Sequence, residues 1–324
     1  MEPRTAIPDD PALPGLAAIR SVGLAAALPD LGLDRGPVEL RLCGYTPGAR
    51  ATIEARAGDR HFAVKAYRKD PAKEADLYQA LADAGLAGNS GVRVPRLLAR
   101  NRDLRLIAIS WFGGRTVRQL IKDGEGRRAG MLAAAFLRRA ASLHVRLGPT
   151  FDPGELLFDV GKWVSKLVIS EAPLGHAADK VANLLVAALP KDGPSRLVHG
   201  TLYDRHILDL GDGPGVIDWQ RFGQGPAELD AGTFLATISR FALRGGRLAS
   251  QAAQAEEAFR AGTNRLLDSR SVAWYRATWL LRHASKPFRS ARAEGLLIPD
   301  ERLSALAEAH ALVGEAGRLA EAIA

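Results

Sequence analysis

The chain has 324 residues, of which 47% are hydrophobic and 25% charged, and a formal net charge of +8. This is ordinary globular composition: it excludes a low-complexity or fibrous protein and supplies enough apolar residues for the cores of one or two domains. A single cysteine, Cys43, excludes an internal disulfide and points to a reducing, cytoplasmic setting. Its place in the apolar run 40–43 predicts a packed core thiol. No apolar run is long enough to span a bilayer. Prolines and acidic residues lie near the start, and the apolar patch 22–28 lacks a basic region before it, so no signal peptide is expected.

In chain order, residues 1–35 read as a Pro-rich leader with one short helix. From Val38 the pattern alternates, predicting strands at 38–43, 51–56 and 61–67 joined by the turns 44–50 and 57–60, a three-stranded meander. A helix follows, with Asp70 as N-cap, Pro71 at the first helical position, the stripe Leu77, Leu81 and Ala84, and Gly85 closing it. Two further strands are expected near 94–99 and 104–111. After the short hinge 111–115 the chain turns helical, at 116–122, 129–147, 158–169, 177–189 and in several segments after Asp230. A hairpin at 197–218 interrupts these helices. The result is an α+β chain of two lobes, a small antiparallel-sheet lobe at 36–112 and a mainly helical lobe at 113–324.

Two polar clusters close the strands of that hairpin. The first runs His199-Gly200-Thr201-Leu202-Tyr203-Asp204-Arg205-His206 and the second is Asp218-Trp219-Gln220. Asp218 follows the apolar strand 215–217, which puts its carboxylate at a strand end, where a hard cation such as magnesium finds the oxygen ligand it prefers. Lys65 sits on a strand with apolar neighbours, and Glu74 on the next helix is its natural orienting partner. A cation so placed serves bound phosphates, since phosphoryl transfer asks the protein chiefly for positioning and charge. The turn Tyr45-Thr46-Pro47-Gly48-Ala49-Arg50 lacks a glycine-rich loop, but the amide of Gly48 is a candidate phosphate contact. Asp230 is expected to cap the following helix or brace the first cluster.

On the stretch 199–218 and the run Gly225-Pro226-Ala227-Glu228-Leu229-Asp230, with Ala63-Val64-Lys65 and Ser142-Leu143-His144 as weaker supports, the chain resembles the aminoglycoside and choline kinase-like phosphotransferase family from about residue 38 onward. The resemblance implies a protein-kinase-like fold and ATP-dependent phosphorylation of a small-molecule hydroxyl. Lys65 and Glu74 would serve the phosphates of ATP, Asp218 would bind Mg2+, and His199 would be structural. Two residues depart from the family pattern. Thr201 stands where the catalytic aspartate is expected, and His206 where an asparagine usually holds a second metal. A threonine hydroxyl accepts no proton at neutral pH, and losing a positioned base costs on the order of 10²–10⁴-fold in rate. Asp204 is the candidate substitute. Imidazole matches Mg2+ poorly and suits manganese or zinc better.

The acceptor is read from charge. Arg240, Arg244, Arg247, Arg276, Arg282, Lys286, Arg289 and Arg292 concentrate in the helical half, and the segment 274–289 mixes aromatic with basic residues. The ordinary reading is an amphipathic helix with its arginines in water. Lining a cleft, the same residues favour a small neutral or anionic acceptor over a polycationic aminoglycoside. No nucleic-acid recognition motif accompanies the charge, so nucleic acid is not an expected partner. Three readings stay open: an active or slow small-molecule kinase, an inactive kinase-like protein that binds nucleotide or a partner, and, on charge alone, a nucleic-acid-binding protein.

Overall fold

The computed structural model describes residues 7–33, 36–191, 193–288 and 299–324. The chain divides into two units, one reaching Gly114 and including Gly215–Ile217, the other formed by Arg115–Pro214 and Asp218–Ala324.

In the first unit, helix α1 (Pro14–Ala27) precedes strands β1 (Glu39–Thr46), β2 (Arg50–Ala57) and β3 (Arg60–Tyr67), helix α2 (Ala72–Leu81), and strands β4 (Leu97–Asn101) and β5 (Leu106–Ser110). The strands form one antiparallel sheet in the order β1-β2-β3-β5-β4. Strand alternation sorts β3 into two faces. Phe62, Val64 and Ala66 join Leu16, Ile19 and Leu24 of α1 in the apolar core of this unit, and Lys65 takes the other face. The stretch read as a leader therefore supplies part of that core. The N-cap of α2 is Pro71 rather than Asp70: the Pro71 carbonyl accepts the first helical amides, those of Glu74 and Ala75, while Asp70, one residue earlier, accepts the Ala72 amide at 2.9 Å. Gly85 is left-handed in the turn that follows, with φ of 83°. Cys43 is exposed, not a core thiol: in edge strand β1 the inward positions are Leu40 and Leu42, and Cys43 shares the outward side with Arg41.

The second unit contains strand β6 (Arg115–Thr116), helices α3 (Val117–Asp123), α4 (Gly126–Ala141), α5 (Pro153–Ser170) and α6 (Ala172–Ala187), then the short strands β7 (Arg196–Val198), β8 (Ile207–Asp209), the start of β9 (Pro214–Val216) and β10 (Gly223–Gly225). Helices α7 (Ala227–Ala242), α8 (Gly246–Gly262), α9 (Ser269–Ser285) and α10 (Pro299–Glu321) complete it. Thr116 and Gln119 form a reciprocal capping box that starts α3. The helix expected over 129–147 stops at Ala141, because the Ser142 hydroxyl turns back to the Arg139 carbonyl at 2.8 Å. Helix α5 begins earlier than its apolar stripe, with Asp152 as cap and Pro153 at its first position. The core of this unit joins α5, α6, α9 and α10 around Trp274, Tyr275 and Leu280. Among the described residues no helix is long and apolar enough to cross a membrane.

Candidate active site

In the first unit the structure brings Lys65 and Glu74 together. Lys65 lies on β3, between β2 and β5, and its Nζ is ion-paired with Glu74 Oε1 on α2. Both side chains are buried, and Tyr67 donates its hydroxyl to the other Glu74 oxygen at 2.6 Å. A buried lysine is costly unless paired, and the pair with Glu74 fixes the Lys65 side chain in one place on the sheet. The turn between β1 and β2 is arranged differently from the expectation. The Gly48 amide does not stand open for a phosphate: it donates to Asp10 Oδ2 at 2.7 Å, as does the Tyr45 hydroxyl at 2.9 Å. The Gly48 amide, with Tyr45 and the Ala12 amide, holds the Asp10 carboxyl below its ordinary range against the opposing effect of burial.

The loop after β7 in the second unit is built on Asp230, in the first turn of α7. Its carboxylate accepts the amides of His199 at 2.6 Å and Gly200 at 2.9 Å. Burial pushes this carboxyl up to about 7 against the pull of those two amides. Gly200 has φ of 73°, and a Cβ there would run into the Arg221 carbonyl oxygen, so only glycine fits. His199 is wholly buried against Trp219, with ring centroids 4.8 Å apart, a structural placement.

Thr201 is buried, and its carbonyl accepts the Tyr203 amide at 2.7 Å. Asp204 is not placed as a substitute base. Arg118 of α3 holds both its oxygens, Nε to Oδ2 at 2.8 Å and a terminal nitrogen to Oδ1 at 2.9 Å, and the carboxylate is 1% exposed. The guanidinium takes one lone-pair site of each oxygen and fixes the carboxylate's orientation toward α3. His206 and Asp218 are brought together: Nε2 lies 3.2 Å from Oδ2, while Nδ1 of the same ring faces the Thr201 carbonyl at 2.9 Å. Asp218 is half-buried and left-handed, with φ of 66°, a conformation that non-glycine residues adopt rarely and mostly as Asn or Asp.

A cavity of about 300 Å³ opens beside this loop and reaches Gly200. Asp152, Glu155 and Asp159 bring carboxylates to it from the start of α5, and Trp163 and Trp279 give it aromatic walls. Arg221 and Arg282 supply its positive charge, with the Arg282 guanidinium 4.4 Å from the Trp279 ring centroid and bonded to the Tyr203 hydroxyl at 2.8 Å. The rest of the basic series is elsewhere. Arg240 pairs with Glu308 at 2.8 Å, and Arg276 is buried against Glu256 at 2.7 Å. Lys286 packs on Tyr203 and His283, while Arg244 and Arg247 are exposed. Arg289 and Arg292 lie outside the described residues.

The model of the phosphotransferase enzyme family, APH, matches residues 45–295. The chain belongs to that family. Solved structures give the fold of this phosphotransferase-family chain. The choline/ethanolamine kinase family protein from Mesorhizobium loti is 20% identical, with a TM-score of 0.58 over 89% of this chain and 93% of the other. A microcompartment-associated aminopropanol kinase is 18% identical, with a TM-score of 0.63 over 91% and 96%. The aminoglycoside phosphotransferase APH(4)-Ia, solved with ADP and hygromycin B, is 13% identical, with a TM-score of 0.58 over 85% and 93%. The antiparallel five-stranded sheet and the helical region are those of the protein-kinase-like fold. No curated protein matches the chain.

Four residues of this family member escape the sequence reading. Arg118 stands in the second position of α3, where an arginine reads as a solvated surface residue. Asp152, Glu155 and Asp159 read as helix-start acids, because Asp152 is a cap and acids suit a helix N-terminus anyway. Only folding sets them beside Trp279, more than a hundred residues along the chain.

Proposed function

We propose that the chain is an ATP-dependent phosphotransferase that phosphorylates the hydroxyl of a small molecule, and does so slowly. The observation that carries this reading is the buried Lys65–Glu74 pair, since folding alone gives little reason to bury a lysine on the central strand. In this reading Lys65 holds nucleotide phosphates, Glu74 fixes Lys65, and Asp218 supplies a carboxylate oxygen to a divalent ion. The donors at Asp218 do not form an all-oxygen Mg2+ set, because the neighbouring ligand position holds an imidazole.

Thr201, in the position of the family base, takes no proton from the acceptor hydroxyl. Phosphoryl transfer passes through a loose transition state in which the attacking oxygen is little deprotonated, so positioning and phosphate electrostatics still act without the base. A rate on the order of 10²–10⁴-fold below that of a base-equipped enzyme is expected. The acceptor differs from the neutral or anionic one that charge suggested, because most of the arginine series does not line the cavity and three carboxylates do. Asp159 is paired with Lys162 and Asp152 caps α5, so the acid that suits a compound carrying an amine beside its hydroxyl is Glu155, and the aromatic walls favour a cation as well. At about 300 Å³ the cavity is at the small end of ligand pockets, so aminoglycosides remain outside the expected range. The single cysteine keeps a cytoplasmic setting part of this reading.

The test is a thermal-shift and turnover assay on the purified full chain. ATP with a divalent ion should raise the melting temperature of wild type, and Lys65→Ala should abolish the shift. A panel of small amino alcohols, amino acids and sugars should then yield ADP, with amino alcohols foremost and kanamycin inert. The second reading, nucleotide binding without transfer, is favoured by Thr201 together with the engagement of Asp204 by Arg118. It gains if wild type binds ATP without turnover and Thr201→Asp acquires it.

A further inference from the structure

We infer that the pair His206–Asp218 selects a first-row transition ion of the manganese–cobalt–zinc class over Mg2+, through a direct imidazole nitrogen ligand. The argument begins with the tautomer. Nδ1 of His206 lies 2.9 Å from the Thr201 carbonyl oxygen, which can only accept, so Nδ1 carries the proton. In the neutral ring Nε2 is then a lone pair. That lone pair stands 3.2 Å from a carboxylate oxygen of Asp218. Two electron-rich atoms at that separation repel unless a positive charge, a proton on Nε2 or a metal ion, lies between them. A divalent ion about 2.1 Å from each of two cis ligands holds them about 3.0 Å apart. The pair therefore has the bite of one nitrogen and one oxygen ligand on a single ion.

The rest of the loop supports this assignment. The Thr201 carbonyl fixes the ring and leaves Nε2 as the ligating atom, the arrangement by which outer partners orient metal-binding histidines. His206 is buried, which keeps water from competing for the nitrogen, while Asp218 is half-open to admit an ion. Asp218 keeps its left-handed backbone, which costs conformational energy and concentrates at working sites. Among the described residues no group of three or more His, Cys, Asp or Glu converges on one point, so an ion held by this pair would take phosphate oxygens or water for the rest of its shell. Mg2+ holds its waters and seeks oxygen, whereas imidazole suits later first-row ions. The inference rests on the phosphotransferase reading for the role of the ion, and on the pair alone for its identity.

The experiment is Mn2+ binding to the full chain, with and without a non-hydrolysable ATP analogue, followed by pulsed electron paramagnetic resonance. Nitrogen coupling from a directly bound imidazole is expected in wild type in at least one condition. The ratio of Mn2+ to Mg2+ affinity should fall about tenfold or more in His206→Asn, with the coupling lost. Absence of nitrogen coupling in both conditions for wild type overturns the inference, as does an unchanged affinity ratio in a folded His206→Asn chain. In that case the ring is an imidazolium paired with Asp218. The wild-type spectrum decides even if the variant does not fold. Phosphate turnover is not the readout, so a chain that binds Mn2+ through nitrogen but transfers nothing refutes the catalytic proposal and supports this one.

Discussion

Asp230 shows how one carboxyl sets both the shape and the pH response of the loop. Its two oxygens hold consecutive amides, and burial raises its pKa to about 7. The folded chain therefore keeps a proton that the unfolded chain releases near the ordinary aspartate value of about 4. Between those two values the native state binds more protons than the unfolded one, so this residue's contribution to stability falls as pH rises and is flat above the window. Denaturant midpoints of wild type measured at both ends of that window should show this decline. Asp230→Asn, which cannot ionise, should lack it. Equal slopes for the two proteins would mean that the carboxyl titrates at an ordinary value.

At the scale of elements, the turn between β1 and β2 is the piece whose role changes most. Asp10, from the segment before α1, ties it by two hydrogen bonds, from the Gly48 amide and the Tyr45 hydroxyl, and also accepts the Ala12 amide of its own segment. The amide of Gly48 should therefore exchange slowly with solvent deuterium, and Asp10→Ala should speed that exchange while leaving the centre of β3 protected. Because the Asp10 carboxyl is held below its ordinary range, the tether should persist at neutral pH and loosen as pH falls below about 4.

The same elements show what a sequence makes legible. The three-stranded meander and α2 could be read from alternation and from Asp70-Pro71, because each of those signals is local. So could the loop around Gly200 and Asp218. The tether at Gly48 could not, since its partner lies 38 residues upstream and carries no local mark. The grip of Arg118 on Asp204 spans 86 residues, and the cavity draws on α5, α9 and Arg221 at once. Identity at Thr201 and His206 was plain from the letters. Which oxygen or nitrogen each ring and carboxylate faces was not, because tertiary packing alone decides it.

At the scale of the molecule, each unit owns a core. One is built on α1 and the sheet, the other on α5, α6, α9 and α10. Units with separate cores need not unfold together. Of the five tryptophans, Trp111 belongs to the first unit and Trp163, Trp219, Trp274 and Trp279 to the second. Intrinsic fluorescence should therefore follow mainly the helical unit, and far-ultraviolet circular dichroism both. Non-coincident denaturation curves by the two probes are expected; superimposable curves would show that the chain unfolds as one cooperative body.

One of those tryptophans is also a reporter already in place. Trp219 is next in sequence to Asp218, 1% exposed, and packed on the His199 ring, which in turn lies 5.5 Å from His206. Histidine rings quench indole emission according to their charge and distance. A change in Trp219 emission on adding a divalent ion to wild type, absent in Trp219→Phe, is therefore the expected optical sign of an ion at the neighbouring carboxylate, read without a dye, a label or a coupled enzyme.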